Sequence, residues 1–118
     1  MEGIENINDT LKKLLQHTTF ECIDEDIEYK LKDSSLSVEE QSQLISEIGE
    51  IIMIDEDRKK DGRNCIETRI VHFPKFDTYI KEVQVGSCHY KDVCIDGGFD
   101  EIEYFVVRPT EKTSISFE

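Results

Sequence analysis

The side chains best suited to chemistry are four cysteines and three histidines. They are Cys22, Cys65, Cys88, Cys94, His17, His72 and His89. A structural zinc site usually has two close ligand pairs, with roughly two to four residues between the members of a pair. Cys88 and Cys94 are too far apart for such a pair, so the sequence predicts no metal site and no cofactor. A small enzyme or zinc protein that uses the Cys88–Cys94 region with His72 or His89 is the alternative.

Covalent catalysis would require a cysteine or serine close to a histidine and an orienting group. Ser87, Cys88 and His89 place a nucleophile beside a base in sequence, but consecutive residues of a strand point to opposite faces. Gly97-Gly98 lacks the Gly-Lys-Ser/Thr continuation of a phosphate-binding loop, and acidic residues surround it. The sequence therefore predicts no catalytic residue and contains no nucleic-acid motif.

Acidic residues dominate the charge. The chain has 27 acidic and 14 basic residues, a net charge of -13, and residues 1–59 contribute 16 of the acids and six of the bases. Such a field repels nucleic acid and anionic membranes and accelerates encounter with basic surfaces. The composition therefore indicates a basic protein partner and excludes direct nucleic-acid and membrane binding. The alternative interpretation is that the charge serves solubility alone.

Two short segments concentrate this charge and are the predicted partner-binding patches. The first patch consists of Asp24, Glu25, Asp26 and Glu28, and the second of Asp55, Glu56 and Asp57. Neither resembles an EF-hand calcium loop, because lysines occupy ligand positions and the required glycine is missing. Aromatic side chains supply much of the affinity at protein interfaces. Phe76 and Tyr79, beside a predicted turn, are the candidate anchors.

The expected compartment is the cytoplasm. No run approaches the ~20 apolar residues of a membrane span. The first residues, MEGIENIND, are acidic, whereas a secretory signal begins with basic residues and continues with apolar ones. In a reducing cytosol the cysteines are expected to be free thiols.

Apolar periodicity predicts helices in the first half of the chain. We expect one over Ile4–Gln16 and a short acidic one over Phe20–Lys32. Ser37-Val38-Glu39-Glu40 has the pattern of a capping box, which opens a third helix. Gly49 favours the end of that helix, with a strand over Glu50–Asp57, although a helix that continues to Ile54 is the alternative.

β-branched and aromatic residues predict strands in the second half. Cys65–Phe73 and Tyr79–Val85 flank a turn at Pro74, and Val93–Ile95 and Glu101–Val107 are further candidates. Asp61-Gly62 is a hairpin signal. The charged segment Asp55–Asn64 is expected to be an exposed loop. Along Cys65–Phe73 the apolar residues change sides, which indicates a bulge or a strand covered on both faces.

Helices followed by strands are typical of an α+β fold. We expect a single domain over residues 1–118, in which two or three N-terminal helices pack on a C-terminal antiparallel sheet of about four strands. Residues 110–118 are expected to be a loose tail, in which Ile115 and Phe117 could form an edge strand.

The functional prediction rests on charge and size. A small acidic intracellular protein could inhibit a partner by occupying its basic nuclease or nucleic-acid-binding surface. Toxin-immunity proteins and phage-encoded anti-defence inhibitors are the classes that fit this prediction. A second alternative is an oligomeric scaffold or chaperone-like module that pairs through an exposed strand edge.

Overall fold

Three helices precede the main sheet in the computed structural model, which describes residues 4, 6–62, 64–87, 101–110 and 116–117. Helix α1 spans Asp9–His17, α2 spans Ile23–Lys32 and α3 spans Val38–Ile48. The three predicted helices are therefore present, and α1 and α2 begin later in the chain than predicted. Asn8 explains the start of α1, because its Oδ1 accepts a hydrogen bond from the Thr10 N–H at 2.8 Å.

Helix α3 has the predicted ends. The Ser37 hydroxyl accepts from the Glu40 N–H, and Glu40 Oε1 accepts from the Ser37 N–H, each at 3.2 Å, so the capping box is complete. The helix ends at Ile48 because Gly49 adopts a φ of 71°, which side-chain-bearing residues rarely adopt. The choice between helix and strand after Gly49 is thereby decided in favour of the strand.

Four antiparallel strands form the sheet in the order β1-β2-β3-β4. They span Ile52–Asp61, Asn64–Phe73, Thr78–Ser87 and Glu101–Val107. A 3₁₀ turn, Pro74–Phe76, joins β2 to β3. The predicted α+β fold is confirmed: helices lie on the N-terminal side of the chain and an antiparallel sheet follows. The predicted strand at Val93–Ile95 lies outside the described residues.

The charged segment Asp55–Asn64 is not a loop, which corrects the sequence prediction. Strand β1 continues to Asp61 and forms a hairpin with β2 through Gly62, which has a φ of 63°. The irregularity in pairing lies in β1, between Met53 and Asp55. A strand at the edge of a sheet can keep charged side chains exposed and still form backbone hydrogen bonds. Charge alone therefore does not distinguish an edge strand from a loop.

A short second pairing joins β5, Pro109–Thr110, to β6, Ser116–Phe117. Part of the predicted loose tail is therefore ordered as a strand pair. Among the described residues, none of the helices combines the length and apolarity needed to span a membrane.

The core lies between the helices and one face of the sheet, here called the inner face. All three helices contribute to it, together with β2 and β3. Its fully buried side chains are Leu11, Leu14, Phe20, Ile23, Leu31, Leu44, Ile48, Val71, Phe73 and Ile80. Residues of β2 that carry odd numbers point inward, and strand pairing aligns Met53, Val71, Ile80 and Val106 in one row across the sheet.

Ile48→Asp should abolish cooperative unfolding or destabilise the fold by more than ~4 kcal/mol, because Ile48 is fully buried and an unpaired carboxylate would be buried in its place. Thermal unfolding followed by circular dichroism measures the effect. Ser42→Asp adds the same charge on the exposed face of α3 and should leave the melting curve nearly unchanged. Equal melting curves for both variants would remove Ile48 from the core.

Candidate functional site

The four acids of the first predicted patch lie on α2, and we call them the α2 acidic patch. Asp24, Glu25, Asp26 and Glu28 are all exposed. Three of them lie in the first turn, where carboxylates interact favourably with the helix dipole. Within the described part of the chain, none of the four makes an ion pair. The four carboxylates are therefore exposed and are not neutralised by any other residue in the described part of the chain.

The backbone of α2 is irregular at the patch. Cys22, which precedes the helix, has a φ of 53°, and Asp26 has φ -144° and ψ 37°, so the helix is kinked inside the patch. The basic residues Lys30 and Lys32 lie in its last turn. The carboxylates and the ammonium groups are thus separated along α2, with negative charge at the end that begins at Ile23.

The second predicted patch is divided by the pleat of β1. Glu56 lies in register with Arg69, and its Oε2 accepts a hydrogen bond from Arg69 Nε at 2.8 Å. Asp55 and Asp57 point to the opposite, outer face, because side chains alternate along a strand. Glu56 is therefore part of a polar contact on the inner face, whereas Asp55 and Asp57 remain exposed.

The two acidic segments lie on neighbouring elements, since α2 contacts β1. Their electrostatic surroundings differ. Arg58, Lys59 and Lys60 directly follow the acids of β1, so this strand carries both signs of charge within six residues. The α2 acidic patch is therefore the stronger candidate for a uniformly negative binding surface.

The candidate aromatic anchors lie in different environments. Phe76 belongs to the 3₁₀ turn, is half-buried and packs against the core. Tyr79 lies on the outer face and stacks on His72, with ring centroids 4.0 Å apart and planes 5° from parallel. The structure thus does not place the two rings on one shared surface with the α2 acidic patch.

Tyr79 also lines a cleft of about 540 Å³ at the end of β3 and β4. The lining residues are Asp77, Thr78, Tyr79, Val106, Val107 and Arg108. None of the predicted carboxylates lines this cleft. It contains one acidic and one basic residue, and it has no arrangement that defines a reaction.

The most unusual feature of the inner face is a cluster of buried polar side chains that sequence reasoning missed. Arg69 and Glu82 are fully buried, while Glu67 and Gln84 are 6% and 5% exposed. Arg69 Nη2 donates a hydrogen bond to Glu67 Oε1, and Arg69 Nη1 lies 3.6 Å from Glu82 Oε1. With Glu56 on its Nε, the guanidinium of Arg69 is surrounded by three carboxylates.

Glu82 connects this cluster to the segment between α1 and α2. Its Oε2 accepts from the Phe20 N–H at 2.7 Å and from the Tyr104 hydroxyl at 3.0 Å, and its Oε1 accepts from Gln84 Nε2 at 2.7 Å. The Phe20 ring packs against Tyr104 edge-on, with centroids 5.4 Å apart. One buried carboxylate thus fixes the position of Phe20 on the sheet.

Burial and pairing shift the pKa values within the cluster. Burial raises the pKa of Glu82 above its ordinary value of 4.5, against the opposing effect of its hydrogen bonds and of Arg69. Burial and the charge of Glu82 raise the pKa of Tyr104. Burial alone would lower the pKa of Arg69, but its hydrogen bonds to Glu56 and Glu67 outweigh this effect and raise it.

The sequence contains a signal for this cluster. Glu67 and Arg69 are two residues apart on β2, as are Glu82 and Gln84 on β3, and polar residues at that spacing share one face of a strand. Val71 and Phe73 share the face with Glu67 and Arg69. This explains the change of sides seen in the apolar pattern of β2: its inner face is polar at one end and apolar at the other.

Among the described residues, no group of three or more histidine, cysteine, aspartate or glutamate side chains could hold a metal ion. Cys88, His89 and Cys94 lie outside these residues.

Cys65 is disulfide-bonded and Cys22 is free. The prediction that the cysteines are thiols is therefore wrong for Cys65, which the sequence spacing could not reveal.

Comparison of the chain with known protein families, curated proteins and solved structures finds no match.

Glu82→Gln should reveal the raised pKa of Glu82. Because the folded state holds this proton more tightly than the unfolded state, the stability contributed by protonated Glu82 is present below pH 4.5 and is lost as pH rises through the folded pKa. The free energy of unfolding of wild type relative to the variant should therefore decrease from pH 4.5 towards neutrality. Urea unfolding at a series of pH values measures this difference.

Glu40→Gln is the matched control, because hydrogen bonds from Ser37 lower the pKa of Glu40. Stability contributed by that carboxylate is present above its unfolded pKa and is lost as pH falls, so the trend should have the opposite sign. A pH-independent difference for Glu82→Gln would contradict the raised pKa.

Dithiothreitol should lower the melting temperature, because a disulfide restricts the unfolded chain and typically contributes ~2–4 kcal/mol. Cys65→Ser should melt at a lower temperature and respond no further to the reductant. Cys22→Ser, which removes the free and exposed thiol, should behave like wild type. A wild-type melting curve that is unchanged by reduction would show that Cys65 is not bridged.

Proposed function

We propose that the protein binds the basic surface of a partner protein through the α2 acidic patch and thereby inhibits the partner. The observation that carries the proposal is the set of four exposed carboxylates on α2 that form no ion pairs with other described residues. The partner would be a nuclease or another nucleic-acid-binding enzyme. Toxin-immunity proteins and phage-encoded anti-defence inhibitors are the functional classes that work in this way.

A nuclease presents a cationic groove to the phosphate backbone, and phosphates contribute much of the affinity of its substrate. A protein surface that carries four carboxylates over five consecutive positions offers negative charge at a comparable density. The acidic protein and the nucleic acid would therefore compete for the groove, because both bind to the same basic side chains of the partner.

Charge of this kind acts mainly on the rate of association. Complementary fields raise the on-rate, whereas exposed charges contribute little to the affinity of the final complex. Salt screens such fields over ~8 Å at physiological ionic strength. The proposal therefore predicts a specific kinetic signature, which a general effect of acidity on solubility does not.

The acids of β1 have a secondary role in this proposal. Asp55 and Asp57 are exposed on the outer face of β1, and Arg58 and Lys59, which follow them directly, limit their effect. Glu56 contributes less, because Arg69 and Arg58 lie within 2.8 and 3.5 Å of its carboxylate. Phe76 and Tyr79 remain candidate anchors for a partner that extends over the turn between β2 and β3.

A cytoplasmic location is part of the proposal. The disulfide at Cys65 is more typical of an oxidising compartment. The response to dithiothreitol therefore also bears on the compartment in which the inhibitor acts.

Neutralising the α2 acidic patch should slow association with the partner. The variant replaces Asp24, Glu25, Asp26 and Glu28 by Asn or Gln, and the partner is first captured from the native host and identified. At low salt the variant should bind at the rate that wild type shows at high salt, with a small change in the off-rate. Stopped-flow or surface-based kinetics over a series of salt concentrations measures both rates.

A control variant neutralises four exposed carboxylates elsewhere, at Glu39, Glu50, Glu101 and Glu103, and changes the net charge equally. It should retain most of the wild-type on-rate. Wild type should also inhibit nucleic-acid binding by the captured partner, and the α2 variant should do so more slowly. Equal on-rates for wild type and the α2 variant at low salt would reject the proposal, as would a partner whose nucleic-acid binding is unaffected.

A further inference from the structure

Strand β1 is the edge of the described sheet and carries an unusual order of charges. Its sequence, IMIDEDRKKD, places three acids directly before three bases. Residues 54–59 are all exposed. An edge strand of this length has a row of backbone N–H and C=O groups available for another strand. Scattered charges would oppose such pairing. A strand with an acidic block followed by a basic block is instead complementary in charge to a second copy that runs antiparallel to it.

We propose that two copies of the chain pair through β1, antiparallel, about a two-fold axis at Asp57, so that the two four-stranded sheets become one eight-stranded sheet. An axis perpendicular to the sheet keeps the inner faces of both copies on the same side, and residues opposite each other then share a face. In this register Asp55 lies opposite Lys59 of the second copy, and Glu56 lies opposite its Arg58.

The buried cluster supports this register. Strand pairing places Glu82, Arg69 and Glu56 in one row across the inner face, and Gln84, Glu67 and Arg58 in the adjacent row. In the dimer the row of Glu82, Arg69 and Glu56 in one copy would continue into the row of Arg58, Glu67 and Gln84 in the other copy. The charges would then alternate without interruption from Glu82 through Arg69 and Glu56 to Arg58 and Glu67 of the second copy.

The contacts already present show that these side chains are suited to such a row. Arg58 Nε lies 3.6 Å from Glu67 Oε1, and its Nη2 lies 3.5 Å from Glu56 Oε1. In a single chain the rows end on β1 at Glu56 and Arg58, whose side chains are 37% and 38% exposed. Adjacent strands are ~4.8 Å apart, a distance at which oppositely charged cross-strand pairs attract.

Other arrangements are less favourable. Parallel pairing places like charges opposite each other along the strand. Shifting the antiparallel register so that Asp57 faces Lys59 brings the two Arg58 side chains together on the inner face and breaks the alternation. In the proposed register the like-charged pair directly opposite each other is formed by the two Asp57 side chains, on the exposed outer face.

Charge reversal on the outer face tests the proposal, because Asp55 and Lys59 form no ion pair within the described part of the chain. Wild type should sediment as a reversible dimer at concentrations from micromolar to millimolar. Asp55→Lys or Lys59→Asp should each raise the dissociation constant roughly tenfold or more, since each change occurs twice in a symmetric dimer. An equimolar mixture of the two variants should recover association, because the two substituted side chains would then face each other with opposite charges.

A second pair of variants tests the axis. Asp57→Asn should strengthen association by removing the like-charged contact, whereas Asp55→Asn should weaken it by removing an attractive one. Both variants change the net charge equally, so a general reduction of repulsion would affect them alike. A monomeric wild type throughout the concentration range, no association in the mixture, or equal effects of Asp57→Asn and Asp55→Asn would each overturn the proposal.

Discussion

The ion pairs and hydrogen bonds of Arg69 constrain the rest of the structure. A guanidinium buried between helices and a sheet would be prohibitively unfavourable alone, so Glu56, Glu67 and Glu82 must all be held beside it. These carboxylates come from β1, β2 and β3, which fixes the register of three strands at one point. Glu82 extends the constraint to the helices, because it also accepts a hydrogen bond from the N–H of Phe20, a core residue between α1 and α2.

The same constraint divides the acidic residues into two populations. Glu67 and Glu82 are buried beside Arg69, and they contribute to the specificity of packing. The carboxylates of α2 are exposed and form no ion pairs with other described residues. The negative surface is therefore produced by exposed residues that the core does not require, and such residues are free to serve a binding function.

Strand β1 lies where the two populations meet. Its inward side chains, Glu56 and Arg58, complete the polar rows of the inner face, while Asp55 and Lys59 carry charge on the outer face. The strand can therefore be an edge that repels most strands and accepts one that is complementary in charge. The proposed inhibition acts mainly through α2, and the proposed self-association acts through β1, the strand that α2 contacts.

The sequence by itself determined the local structure. The capping box at Ser37, the end of α3 at Gly49, the hairpin at Gly62 and the α+β class all follow from short-range rules of propensity and turn geometry. The α2 acidic patch was also evident, because a run of charged residues is exposed in almost any fold. Only the tertiary structure decided that Asp55–Asp61 is an edge strand, that Glu56 belongs with Arg69, and that Glu67, Arg69 and Glu82 are buried together. Composition predicts exposure for such residues, and their burial becomes favourable only when strand pairing brings opposite charges from distant parts of the chain within ion-pair distance.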